Sequence, residues 1–236
     1  GFGGSVSALR LAEKGYNVAV IEQGKRYLTE DLPQTNWNLK KYLRIPKLLL
    51  FGIQAMTLLK NVFIFHGTGV GGGSLVYANN LLVPPDDVLN DPKWGINNWK
   101  KKIEPFYEIA KKMLGATPSK IITHADELLR TCAKDIGKED TFHVNDVGVY
   151  FGKENVTVPD PFFNGKGPER TGCTFCGGCM VGCRVGAKNT LDKNYLHLAE
   201  QLGVTIIPET KVIDVKPSQA SEYELLTKKI TKIFSP

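Results

Sequence analysis

Apolar residues recur with two different periods along the chain, and the switches between them delimit its elements. Val6, Leu9 and Ala12 share one face of a helix that Gly15 closes, and Val18-Ala19-Val20-Ile21 follows as a β-branched strand ending at Glu22. Residues 62–65 read as a strand running into Gly67-Thr68-Gly69-Val70-Gly71-Gly72-Gly73-Ser74, and Leu75-Val76-Tyr77 resumes the apolar pattern beyond it. Phe106, Ile109, Ala110 and Met113 predict a helix over 104–114 with Pro105 in its first turn. Leu128, Leu129, Cys132 and Ile136 predict another over 125–136, and Phe142, Val144, Val147, Val149 and Phe151 alternate as a strand. After the proline-rich connection 158–163, Thr190 is placed to cap a helix with Leu191, Tyr195, Leu198 and Leu202 on its face and Gly203 at its end. Strands are expected at 204–207 and 212–215, with strand-like residues from 222 to 233.

The first glycine group carries chemistry. Gly1 and Gly4 have the spacing of the second and third glycines of a G-x-G-x-x-G turn, with Gly3 between them and a helix following at once. Such a helix presents unpaired backbone N–H groups to a diphosphate. Glu22 stands 18 residues after Gly4, where a carboxylate can grip both hydroxyls of a ribose, and Gln23 is beside it. An acid there repels a 2′-phosphate, which favours FAD or NAD over NADP. The missing first glycine and the absence of an initial Met suggest a chain cut at its amino end, and the final residues suggest a cut at the carboxyl end as well. The second glycine loop is too dense in glycine for an ordinary turn, because glycine loses the most backbone freedom on ordering. Something must approach its backbone closely.

A stretch of 12 mostly apolar residues, 48–59, lies between Lys47 and Lys60 and is too short to span a bilayer. It reads either as a buried or site-covering segment or as a shallow helix making peripheral membrane contact. With 236 residues, 42% hydrophobic and 23% charged, the chain can bury a sizeable core in one or two domains. Its net charge of +6 comes from scattered lysines and short runs without interleaved aromatics, which argues against a nucleic-acid partner. A cytoplasmic location is favoured, with export left open.

Four of the five cysteines form the run Cys173, Cys176, Cys179 and Cys183, spaced C-x2-C-x2-C-x3-C. That is the spacing of ferredoxin-type iron-sulfur ligands, whereas structural zinc draws its cysteine pairs from separated segments. Arg184 stands where ferredoxins have proline, and the fourth ligand of a single cluster would be Cys183 or the distant Cys132. A thiol-rich loop, reduced in a cytosol or disulfide-linked outside it, is the alternative.

Taken together, Gly1-Phe2-Gly3-Gly4-Ser5, Glu22-Gln23-Gly24, the stretch from Gly69 to Val76, Pro159 through Phe163, and Cys173 through Leu196 resemble the glucose-methanol-choline (GMC) oxidoreductases, in particular their bacterial cholesterol-oxidase-like branch. The resemblance implies an α/β fold: a Rossmann-like FAD-binding domain with inserted parts of an α+β substrate domain. It divides the chain at 1–85 (FAD-binding), 86–170 (inserted segments) and 171–236 (cysteine loop and return to the FAD domain). By position, Gly1 and Gly4 would face the FAD pyrophosphate and Glu22 the ribose. Gly72 and Gly73 would line the flavin side, with Tyr77, Ala78 and Asn80 near the isoalloxazine and the Val212 backbone meeting adenine. Sterol oxidases of the family have asparagine where this chain has Tyr77. The implied reaction oxidises the CH-OH group of a sterol or other hydrophobic alcohol, with hydride passing to the flavin and then to O2 or another carrier. The family's catalytic histidine region is expected beyond residue 236, so His66, His124, His143 and His197 are not assigned as the base. Two further readings are an FAD/iron-sulfur dehydrogenase with an external acceptor and a non-catalytic flavin-binding relative.

Overall fold

A computed structural model describes residues 1–218 and 222–230. The first helix, Phe2–Glu13, turns Ser5, Ala8 and Leu9 inward, and Gly15 follows it at a φ of +84°. The strand after it, Ala19–Ile21, pairs in parallel with Thr205–Ile207, Ala19 opposite Thr205 and Ile21 opposite Ile207. The first helix packs on Tyr195–Gln201, and the buried set Ala8, Leu9, Val70, Leu191, Tyr195, Leu196, Ala199 and Val204 forms the main core between these elements. Full burial of each leucine in that set contributes about 1.5–3 kcal/mol. This arrangement, helices laid over a parallel strand pair, agrees with the expected α/β class.

The apolar stretch at 48–59 is sheet and not helix, which overturns the reading of it as a shallow membrane-touching helix. Strands Leu43–Ile45, Leu50–Phe51, Gln54–Leu58 and Phe63–Gly67 build a four-stranded sheet with Leu43–Ile45 between Leu50–Phe51 and Gln54–Leu58. Gly52 is the reason the chain can turn there, since a Cβ on it would strike the Tyr42 backbone. The base of the sheet is buried, with Ile53 at 0% exposure, while the hairpin tip is open, with Leu58 at 81%. Among the described residues no helix is long and apolar enough to cross a membrane.

Three boundaries also differ from expectation. The helix expected at 104–114 runs Trp99–Leu114, so Pro105 sits inside it and not in its first turn. Phe106 and Ile109 near the proline are exposed, while Met113 and Leu114 at the far end of the helix pack against the main core. The strand expected from Phe142 to Phe151 shrinks to Asp146–Val147, because the backbone beyond it bonds instead to a returning loop: Tyr150 N–H donates to the Ala187 carbonyl and Asn189 N–H to that of Gly148. Thr190 does not cap the helix it precedes. A 3-10 turn, Leu191–Lys193, intervenes, and the Asn194 side chain accepts the bond from Tyr195 N–H at the start of Tyr195–Gln201. The late strands are Thr210–Pro217 and Tyr223–Lys229, antiparallel; the remainder of the strand expected up to 233 lies outside the described residues.

The proline-rich connection is organised by one carboxylate. Asp160 accepts backbone N–H bonds from Phe162, Phe163, Gly165 and Gly167 at 2.9 to 3.1 Å. Partial burial alone would raise its pKa, but these donors outweigh it and hold the carboxyl below its usual value. The stabilisation is therefore present above about pH 4, the unfolded carboxyl value, and fades as pH falls through the lower folded value. Asp160→Asn should destabilise the protein by about 1–3 kcal/mol at pH 7 and flatten that acid limb, measured by urea unfolding at a series of pH values; an unchanged limb would contradict this role.

Candidate cofactor site

The two glycine loops, 70 residues apart in sequence, meet in space. A Cβ on Gly72, which has a φ of +55°, would lie 2.6 Å from the Gly1 Cα. The second loop is wedged on its other side as well, since a Cβ on Gly24 would strike the Gly69 backbone. Val70 N–H donates to the Lys25 carbonyl, and Ser74 Oγ both donates to the Gly71 carbonyl at 2.7 Å and accepts from Leu191 N–H at 3.0 Å. The loop is thus a fixed, buried wall between the start of the first helix and the end of the first strand. No linker would be held this way.

Around Gly3 and Gly4 the geometry reverses, since nothing lies within 4 Å of a Cβ on either. The first helix starts at Phe2 beside the second loop, and its first-turn N–H groups have no intrahelical partner. An uncapped helix start, open glycine faces and a tight backbone wall together fit a dinucleotide pyrophosphate. Glu22 follows the strand, and one of its oxygens accepts from Gly24 N–H at 2.7 Å, which leaves the other free for a ribose. Gln23 gives its carbonyl to Arg44 Nη2 at 2.7 Å. Val212 lies on the strand whose first residue, Thr210, donates to the Glu22 carbonyl, immediately before a bulge at Asp214.

Tyr77, Ala78 and Asn80 lead away from this wall into two cavities. The Tyr77 ring meets Phe2 edge-on at 5.8 Å, and its hydroxyl is buried without a partner among the described residues. Burial first, and then the nearby Cys179, push its phenol up to about 12. Ala78 and Asn80 line a cavity of about 670 Å³ with Ile121, Ile122, Leu129 and Phe142 in its wall. His143 also borders that cavity, and its Nδ1 lies 3.0 Å from the Thr141 carbonyl. His66 lies 3.4 Å from Thr57 Oγ1 and is half-buried on the sheet.

Ala78 and Asn79 also border a second cavity of about 220 Å³, whose wall includes Cys173, Cys176, Cys179 and Cys183. Cys132 is exposed on the helix His124–Asp135 and takes no part in that wall. Burial raises the thiol pKa of Cys173 and of Cys179. At Cys183 burial acts the same way, but the N–H groups of Lys188, Val185 and Gly186 and the Lys193 ammonium outweigh it and favour the thiolate. As they stand, no three His, Cys, Asp or Glu side chains among the described residues come close enough to hold a metal ion, so the four cysteines do not form a ready single-ion site.

Sequence reasoning missed the charged residues behind this wall. Lys188, at 0% exposure, donates to the carbonyls of Tyr77 at 2.7 Å, Cys179 at 2.8 Å and Leu75 at 3.1 Å, with its ammonium 4.6 Å from the Tyr77 ring centre. Burial lowers its pKa to about 8. Arg170, at 1% exposure, donates to the Ala187 carbonyl at 2.9 Å and to the Asn189 side chain, while its Nε and Nη1 have no partner. Nothing in the hydrophobic pattern marks either residue as buried.

No family model matches the chain. A cholesterol oxidase of Mycobacterium tuberculosis H37Rv is 50% identical over 218 residues, covering 90% of this chain and 38% of that protein. A cholesterol oxidase of Acinetobacter baumannii is 48% identical over 222 residues, covering 92% and 40%. A long-chain-alcohol oxidase of Arabidopsis thaliana is 27% identical over 219 residues, covering 91% and 26%. The chain therefore spans about two-fifths of the length of these bacterial relatives.

Proposed function

We propose, from the premise that this chain belongs to the GMC oxidoreductases, that it is the FAD-binding portion of an enzyme oxidising the hydroxyl of a sterol or another hydrophobic alcohol. The observation that carries this reading is the contact of Gly72 with Gly1, which sets the two glycine loops side by side next to the open faces of Gly3 and Gly4. Gly1, Gly3 and Gly4 would hold the pyrophosphate at the helix start, Glu22 and Gln23 the ribose, and Val212 the adenine edge. Gly72 and Gly73 would lie against the flavin, with Tyr77, Ala78 and Asn80 forming the wall toward the substrate. The bound flavin would supply the hydride acceptor. The protein's part in this segment is to bind, to orient and to exclude water.

Ile121, Ile122, Leu129 and Phe142 give the cavity an apolar face for a hydrophobic alcohol, beside polar Ser119, Asp126, Thr141 and Asn145 that can pair with a hydroxyl. We assign O2 as acceptor, as in an oxidase, with a protein or small-molecule carrier as the second reading; the cysteine-lined cavity beside Ala78 favours keeping that second reading. Purified protein carrying this chain should show flavin absorbance and release peroxide with cholesterol or a long-chain alcohol. Protein free of flavin and inert toward both would sink the proposal, and turnover with a dye but without peroxide would select the carrier.

A further inference from the structure

We propose that the cavity lined by Cys173, Cys176, Cys179 and Cys183 houses an anionic cubane iron-sulfur cluster held by all four thiolates, with the buried cations behind it as counter-charge. This goes beyond the flavin assignment and does not depend on it.

Three observations converge. The first concerns ligand identity. Cys183 borders the same half-open cavity as the other three cysteines, of which Cys176 is exposed, while Cys132 lies exposed on another element. The run therefore closes on one site, unlike ferredoxins, where the fourth cysteine serves a second cluster. Phe175, Gly177 and Gly182, at φ of +54°, +67° and +93°, supply the turns that bring the run back on itself.

The second is hydrogen bonding to sulfur. Phe175 N–H donates to Cys173 Sγ at 3.4 Å. Donors aimed at sulfur stabilise thiolate ligands and tune a cluster. Neutral thiols gain little from them.

The third is charge. Lys188 donates to the Cys179 carbonyl at 2.8 Å, Lys193 borders a pocket with Cys183, and buried Arg170 donates to the Ala187 carbonyl at 2.9 Å. The acids facing them are Asp192, whose Oδ1 is buried without a partner, and Asp160, which is already engaged by four backbone N–H groups. With four neutral thiols the site keeps an excess of buried positive charge, which is unfavourable in a low-dielectric interior. Four thiolates on a [4Fe-4S]2+ core carry a net charge of about −2 and reverse that excess. A single zinc ion also carries four thiolates, but it requires the sulfurs drawn to about 2.3 Å from one centre. The cysteines here surround a cavity without converging on a point. That spacing favours the larger guest.

The test is anaerobic purification of the protein carrying this chain, with iron, acid-labile sulfide, zinc and flavin measured on the same sample. The expected result is about four iron and four sulfide per chain, with a paramagnetic signal after reduction. Cys176→Ser should lose most of the cluster while retaining flavin, and Cys132→Ser should leave both unchanged. Lys188→Gln should make the cluster harder to reduce, because a positive charge is removed beside it. Protein without iron and with all five thiols titratable overturns the proposal. So does one zinc without sulfide, or loss of the cluster on changing Cys132. Because flavin is read separately, failure here is distinguishable from failure of the flavin assignment.

Discussion

Gly72→Val should yield protein purified without flavin. The new side chain has two obstacles that add. A β-branched residue resists the φ of +55° that Gly72 adopts, and its Cβ would sit 2.6 Å from the Gly1 Cα, backbone that cannot move without shifting the first helix. Overpacking of this kind costs about 1–3 kcal/mol, and relief requires the two loops to separate, which displaces the glycine wall the cofactor would lie against. Gly3→Ala makes the informative contrast. Nothing lies within 4 Å of its new methyl group, and alanine is the better helix former by about 1 kcal/mol. Stability should hold or rise, yet flavin occupancy should fall, because the methyl group projects into the space assigned to the pyrophosphate. Thermal unfolding and flavin absorbance, measured together on both variants, check this. Full flavin content in Gly72→Val would remove the glycine seam from the site.

Lys188→Met should be the most destabilising single change in the cysteine region. The ammonium is the shared donor to the carbonyls of Leu75 and Tyr77 on one segment and of Cys179 on another. Methionine fills a similar volume, so packing changes little, but the carbonyls lose their partner. Leaving such groups unsatisfied costs about 1–3 kcal/mol each, offset in part by relief from burying a charge, for a net loss of about 3 kcal/mol. Lys188→Arg should not rescue it, because a planar fork cannot point at three converging carbonyls as an ammonium does. Chemical denaturation of the three proteins measures the loss; equal stability of the Met variant and the parent would show that the three ties are dispensable.

The parts of this molecule readable from sequence are those in which backbone geometry dictates residue type. Glycine at the seam, the β-branched strand before Glu22 and the glycine after Tyr195–Gln201 all announce themselves, because few residues satisfy the conformations required. The apolar stretch at 48–59 did not. Its alternation is broken by Gly52 and the turn at Leu59, so a short sheet and a short helix look alike until pairing with Phe63–Gly67 is seen. Thr190 and Asn194 are both good caps by composition, and only the intervening 3-10 turn decides between them. Lys188 and Arg170 are hidden for a stronger reason. A lysine or arginine is ordinarily a surface residue, and its burial depends on carbonyls contributed by distant segments, which leave no local trace. The spacing of the cysteines was legible, whereas the choice between Cys183 and Cys132 as fourth wall residue needed the fold.

The parallel pairing of Ala19–Ile21 with Thr205–Ile207 has a consequence for biosynthesis. Ala19–Ile21 is synthesised well before its partner Thr205–Ile207, and well before the core helix Tyr195–Gln201. Contacts so distant in sequence form slowly. Until those later segments are synthesised the nascent chain holds Val18, Val20 and Leu9 without these partners, a state in which chaperones and early cofactor capture would govern the yield of native protein.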